Sequence, residues 1–256
     1  MSEAGVSFAV ADGIARITLQ RLPVNALSLD MIRTVIAALR RAAADDGARA
    51  VVLASAIPRR FCAGLDLAQL LSASREQVRE LLRALYLELY DAQYHLGKPS
   101  IAAVGGAARG GGMTLAISCD VILAGEGATF GYPEINVGVL PAKHFMHLPR
   151  IAGRHRAFEL LFSGRAFDAR EAVDLGLVSK IVPDANLDAA ADALAAEFAA
   201  KSPTVMRLGR AAFMRQNDDD DRRRIAEAVE DFCNVTATDA AQEGLRAFLE
   251  KRAPKW

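Results

Sequence analysis

The sequence predicts an α/β fold, and three observations carry that prediction. Short β-branched runs alternate with helical periodicities as far as about residue 182, and beyond about residue 188 the pattern is wholly helical. The chain has 256 residues, 52% of them hydrophobic and 24% charged, enough to bury a sizeable core without a disulfide or metal staple. The reading is one main unit over 1–195, with a helical appendage over 196–256.

The elements follow in order. Residues 8–10 and 14–19 flank Asp12-Gly13, a dipeptide suited to a two-residue hairpin turn. Ser28 is placed to cap a helix whose apolar positions Met31, Ile32, Val35, Ile36 and Leu39 keep helical spacing, with Asp30 favourable in the first turn. Residues 50–54 read as a buried strand. A long helical pattern spans about 76–96 and stops at Gly97 and Pro99, before a second apolar run at 101–104. Short strands are expected at 121–124 and 128–130, and a turn from Gly176 leads into a last strand ending before Pro183. Pro203 marks a later helix start, and the Asp218 to Asp221 run followed by Arg222 to Arg224 reads as a solvated helix entrance.

Composition excludes several function classes. Lys+Arg and Asp+Glu are 31 each, so no basic face for a nucleic-acid backbone is implied. Cys62, Cys119 and Cys233 are odd in number, far apart and without CxxC spacing, which argues for small buried residues in a reducing compartment. The first ten residues lack a basic stretch leading into an apolar run, and no run of about 18 apolar residues occurs. A cytoplasmic protein with no membrane span is the expectation.

Two segments share one grammar, a strand-like run followed by small residues at a turn. They are Phe61-Cys62-Ala63-Gly64-Leu65-Asp66 and Gly105-Gly106-Ala107-Ala108-Arg109-Gly110-Gly111-Gly112. Small residues let a ligand approach the backbone closely. The second segment runs into a helical pattern from Met113, so the amides of 110–112 sit at a helix N-terminus and can hold a developing oxyanion. No lysine follows as in a P-loop, and the GxGxxG spacing is absent. Glu134, within Phe130-Gly131-Tyr132-Pro133-Glu134-Ile135-Asn136-Val137-Gly138, stands in an apolar, turn-rich setting that would desolvate a carboxylate and raise its pKa towards neutrality, as a general base needs.

At this point the residues resemble the crotonase (enoyl-CoA hydratase/isomerase) superfamily, in order and over nearly the whole chain. Pro23-Val24-Asn25-Ala26-Leu27-Ser28 is similar to its N-terminal motif, residues 61–66 to its first oxyanion segment, and 98–120 to its glycine-rich segment. Residues 132–138 resemble its catalytic-carboxylate segment, 169–182 its AxxxGLV strand entrance, and 243–252 its closing helix. The resemblance implies a crotonase-like spiral of ββα units, C-terminal helices used for trimer or hexamer assembly, and an acyl-coenzyme A thioester as substrate. No cofactor is implied beyond the coenzyme A of the thioester. The backbone N–H groups of Leu65 and Gly111 would bind the thioester oxygen, each donor supplying about 3 kcal/mol. Val24, Ala26, Ala63, Asp66 and Gly110 would line the coenzyme A path, with Phe248 and Lys251 reaching it from a neighbouring subunit.

The chain departs from the family's hydratases at two places. Thr114 stands where they carry a first glutamate; it can hold a water but cannot exchange its proton near neutral pH, which leaves Glu134 as the titrating group. Pro141-Ala142-Lys143-His144-Phe145-Met146 replaces a glycine-rich stretch beside the water site and leaves less room for water. A single carboxylate suffices for Δ3,Δ2-enoyl-CoA isomerisation, so that activity is the first expectation. An enoyl-CoA hydratase of fatty-acid β-oxidation type using Thr114 is the alternative, and a non-catalytic acyl-CoA-binding subunit the third reading. His144 and His147, three apart, lack a carboxylate set to complete a metal shell, and His144 is read as a polar pocket residue. Arg109 is suited either to a coenzyme A phosphate or to local carbonyls, and Cys62 to packing.

Overall fold

In a computed structural model, residues 5–218 and 221–256 are described. β1 (Val6–Ala11) and β2 (Ile14–Leu19) form the expected hairpin, with Asp12 and Gly13 both in the left-handed region that this turn requires. α1 (Leu29–Ala44) is capped by Ser28, whose hydroxyl accepts from the Met31 N–H at 3.2 Å, and it buries the predicted apolar stripe. β3 (Ala50–Ser55) and β4 (Arg59–Cys62) follow.

The helical stretch expected over 76–96 divides into three. α2 (Arg75–Leu82) opens on a Ser74–Gln77 capping box, passes into a π-helical turn at Arg83–Glu88, and continues as α3 (Leu89–Tyr94). Next come β5 (Ser100–Val104), β6 (Gly106–Arg109), α4 (Gly111–Ser118), β7 (Val121–Gly125) and β8 (Thr129–Gly131). α5 (His144–Ala152), α6 (Arg154–Ser163), β9 (Ala166–Asp168) and α7 (Ala169–Asp174) occupy a stretch whose periodicity predicts no definite element. β9 is three residues long, too short to show alternation. β10 (Lys180–Val182) is the predicted last strand; α8 (Leu187–Ala199), α9 (Pro203–Asp218), α10 (Asp221–Thr236) and α11 (Asp239–Leu249) complete the chain. Of the predicted charged entrance, Asp219 and Asp220 lie outside the described residues; Arg222 and Arg223 beyond them are exposed, and Arg222 pairs with Asp91 at 3.0 Å.

The strands make two sheets. One runs β1-β2-β3-β5-β7-β10, parallel except at the opening hairpin; the other runs β4-β6-β8-β9, with only β9 antiparallel. The chain therefore steps from the first sheet to the second three times, β3 to β4, β5 to β6 and β7 to β8, which is a spiral of repeated ββ units with helices between. Alternation along β3 divides its side chains between two faces: Val51 and Leu53 enter the main core, while Ala50, Val52 and Ala54 meet α8. The alanines Ala191 and Ala195 on α8, fully buried, let the helix lie close on that face. The mixed α/β spiral with its C-terminal helices is the predicted fold class.

Candidate active site

The spiral brings the two small-residue segments side by side. Leu27 donates its N–H to the Gly64 carbonyl at 2.7 Å, and its own carbonyl accepts from the Asp66 N–H at 2.9 Å. In such a parallel bridge the intervening residue, Leu65, turns its own N–H away from Leu27. It turns towards α4: a Cβ built on Gly111 would lie 3.4 Å from the Leu65 nitrogen. Gly111 is the first residue of α4, so its N–H has no intrahelical acceptor. Two backbone donors thus converge on one wall of a cavity of about 320 Å³, which both residues line.

Glu134 stands over the same wall. Pro133 begins a short 3₁₀ turn, Pro133–Val137, that carries the carboxylate to Gly110. A Cβ on Gly110 would fall 3.1 Å from Glu134 Oε1, and Gly110 has φ of 49°, so only glycine fits here without strain. Glu134 is partly buried as a residue and lines the cavity, but Oε2 is sealed and has no hydrogen-bond partner among the described residues. Burial pushes its pKa up from 4.5 to about 7. Glu134 is the only carboxylate among the residues lining this cavity.

The remaining wall is mostly apolar. Leu70, Leu85, Tyr86 and Phe232 form a buried inner end, and Phe248, Arg252 and Pro254 an outer rim where Phe248 is 55% exposed. Burial, with the Glu134 charge nearby, raises the Tyr86 pKa far above its usual range, so the phenol stays protonated. Leu85 and Tyr86 are consecutive and belong to the π-helical turn. An apolar cavity with two amide donors and one desolvated carboxylate is suited to drawing a proton from carbon beside a carbonyl while holding the enolate oxygen.

The predicted site residues fall into three groups. Leu65, Gly110, Gly111, Glu134, Ala63 and Phe248 line the cavity. Phe248 does so within its own chain. Val24, Ala26 and Asp66 lie in the neighbouring layer: Val24 O accepts from Ala63 N at 3.0 Å, while Arg21 bonds both Ala26 O, at 2.5 Å, and Asp66, at 2.9 Å. Lys251 is exposed and outside the lining.

Thr114 and His144 are also outside the cavity lining, fully buried, with Oγ1 and Nε2 3.2 Å apart. His147 instead lines a separate cavity with Asp120 and Arg150. Arg109 caps local carbonyls, donating to Ala108 O at 3.0 Å and Thr129 O at 2.8 Å. Cys62 is buried and donates to Asn25 O at 3.0 Å; burial pushes its thiol up to about 12, which suits packing. Tyr86, Phe232, Arg252 and Pro254 were not singled out as site residues, although Arg252 closes the 243–252 segment that carries part of the resemblance.

The fold is that of an acyl-CoA-processing enzyme of the crotonase superfamily, and comparison with known proteins agrees. Residues 9–256 match the enoyl-CoA hydratase/isomerase family, and the chain belongs to it. It is 35% identical to the "Probable enoyl-CoA hydratase" of Bacillus subtilis (strain 168), over 98% of each chain. It is 32% identical to the human mitochondrial methylglutaconyl-CoA hydratase, over 91% of this chain and 70% of that one. Among solved structures, an enoyl-CoA hydratase/isomerase from Pseudoalteromonas atlantica T6c superposes with a TM-score of 0.86 at 28% identity, covering 98% of this chain and 99% of that one. Membership in a family of acyl-CoA-processing enzymes sets aside a purely ligand-binding role.

Proposed function

We propose that this enzyme is a Δ3,Δ2-enoyl-CoA isomerase in which Glu134 does all the proton transfer. The observation that carries the reading is the single carboxylate in the cavity, sealed on one oxygen and poised near neutrality beside two converging amides. The thioester oxygen of a 3-enoyl-CoA accepts from the Leu65 and Gly111 N–H groups. Glu134 takes a proton from C2, and the electron pair of that C–H bond forms the C1–C2 double bond of a dienolate as the carbonyl pair moves onto the thioester oxygen, with the C3–C4 double bond still in place. The same carboxylic acid returns the proton at C4 and leaves a 2-enoyl thioester. Ala63, Gly110 and Phe248 border the thioester and its coenzyme A, with Val24, Ala26, Asp66 and Lys251 supporting that side.

A second reading, enoyl-CoA hydratase, is favoured by one observation, the hydratase names of the relatives. Deuterium exchange and product formation, followed by NMR in D2O with matched 3-enoyl-CoA and 2-enoyl-CoA thioesters, separates the two. Double-bond migration without 3-hydroxyacyl product is the expected result; rapid 3-hydroxyacyl formation would replace the isomerase with the hydratase.

The same proposal extends to assembly and location. Region 196–256 would build a homotrimer or a dimer of trimers, supported by Val205, Leu208 and Phe213 on α9, which are 66%, 56% and 66% exposed. Among the described residues no helix is long and apolar enough to cross a membrane, and the neutral composition suits the cytoplasm.

A further inference from the structure

Behind Gly110 lie two buried polar side chains that the proposed reaction does not use. Thr114 is one helical turn into α4, its N–H donating to the Gly110 carbonyl at 3.1 Å. Its hydroxyl meets His144 Nε2 at 3.2 Å, and both residues are 0% exposed. The imidazole also packs on the Tyr132 ring, centroids 4.5 Å apart. Burial, with His147 and Lys143 close by, holds the imidazole in its neutral form. A neutral imidazole has one N–H and one acceptor nitrogen, and a threonine hydroxyl can serve either, so the Nε2–Oγ1 contact forms in both tautomers, while Nδ1 has no hydrogen-bond partner among the described residues. Glu134 thus lies against Gly110, while the charge-neutral Thr114–His144 pair is buried outside the cavity lining.

Adding water across a 2-enoyl thioester asks more of a site than moving a double bond. A water must be held at C3 and give up a proton while another proton reaches C2, which calls for two polar groups at the reacting carbons. Here the place from which a second group would act is blocked. A side chain at position 114 that continued beyond Oγ1 in the same direction would run into the imidazole, 3.2 Å away.

We infer that His144 is the residue that fixes reaction specificity: by holding Thr114 and filling the space beyond it, it denies the site a second proton-handling group and leaves Glu134 to act alone. The inference rests on the isomerase reading above. It concerns partition between two products, which a merely structural role for His144 would not move.

The test compares wild type with Thr114→Glu, His144→Gly and the double variant, each checked by circular dichroism and given both 3-enoyl-CoA and 2-enoyl-CoA. Wild type and Thr114→Glu are expected to hydrate at background, while the double variant gains at least about 100-fold in 3-hydroxyacyl formation and loses less than about tenfold in isomerisation. A single Thr114→Glu change that hydrates as fast as the double would overturn the inference, as would a double variant that isomerises without any gain in hydration. If the double variant does not fold, Thr114→Asp with and without His144→Ala decides: a gain of about tenfold in hydration on removing the imidazole supports the role, and none removes it. Fast hydration by the wild type would instead overturn the isomerase reading, a failure visible before any variant is made.

Discussion

The inner wall of the cavity has one glutamate and the segment beside its outer rim another, and the two are held in opposite ways. Glu134 is buried against Gly110, with one oxygen unpartnered among the described residues, and burial pushes its pKa up to about 7. Glu243, beside the rim, accepts from Arg252 at 2.6 and 3.0 Å and from the Lys255 N–H at 2.9 Å; the Arg252 hydrogen bonds hold its pKa down to about 2. The difference separates two uses of one side chain. A carboxylate whose charged form is satisfied keeps that charge and acts as a clasp, whereas one desolvated by burial, with an oxygen left unpartnered, is ready to take a proton.

The largest expected effect comes from breaking the inner half of that comparison. Glu134→Gln should lower turnover on the order of 1,000-fold and leave KM within a few-fold, because the amide cannot accept the C2 proton but fills the same space. Steady-state kinetics on 3-enoyl-CoA would check this, and full activity in the variant would remove Glu134 from the mechanism. Wild-type turnover should rise with pH through about 7 and then level, since the carboxylate must be ionised to act. Stability runs the other way. The folded state retains a proton on Glu134 between about 4.5 and 7 that the unfolded chain releases, so wild-type stability falls as pH rises across that window. The shift corresponds to at most about 3 kcal/mol, and Glu134→Gln should remove that loss, its melting temperature exceeding that of the wild type by more at pH 8 than at pH 5.

A smaller effect should follow from moving Glu134 without changing it. Gly110→Ala puts a methyl group 3.1 Å from Oε1 and demands a left-handed backbone from alanine. Displacement of the base or of the neighbouring Gly111 amide should cost roughly 100-fold in turnover. Exchange at C2 measured in D2O should fall in step with turnover, which a defect confined to coenzyme A binding would not produce.

The two halves of the site also differ in how far they could be read from the chain. Both small-residue segments and Glu134 are local: a strand-like run, small residues and a helix start lie within a few positions, and each supplies its own backbone geometry. The hairpin at Asp12-Gly13 and the cap at Ser28 were legible for the same reason. The inner end was not. Leu70, Tyr86 and Phe232 come from three segments separated by long stretches of sequence, and each reads locally as one more apolar residue on a helix or turn. The π-helical turn that presents Leu85 and Tyr86 together has no periodicity distinct from an α-helix over six residues. Thr114 is a different case: its identity marked it as unusual, but its hydroxyl is held by His144, thirty residues further along the chain.

The rim should respond least, and without the pH signature. Glu243 is depressed to about 2, so its contribution is present above the ordinary carboxylate range and is lost only as pH falls through about 2, well below any assay condition. Arg252 lines the cavity and is also bonded to Glu250 at 2.6 Å, so Glu243→Gln loosens the closing segment without freeing it. KM should rise a few-fold with turnover nearly unchanged, and the ratio of variant to wild type should stay flat from pH 6 to 9. Limited trypsin digestion should cut after Lys251 or Arg252 sooner in the variant, because the hydrogen bonds that fold residues 252–255 back onto α11 are the ones removed. A variant whose turnover, rather than KM, fell and followed pH through 7 would show that the clasp also sets the position of Glu134, and the two glutamates would then act as one unit.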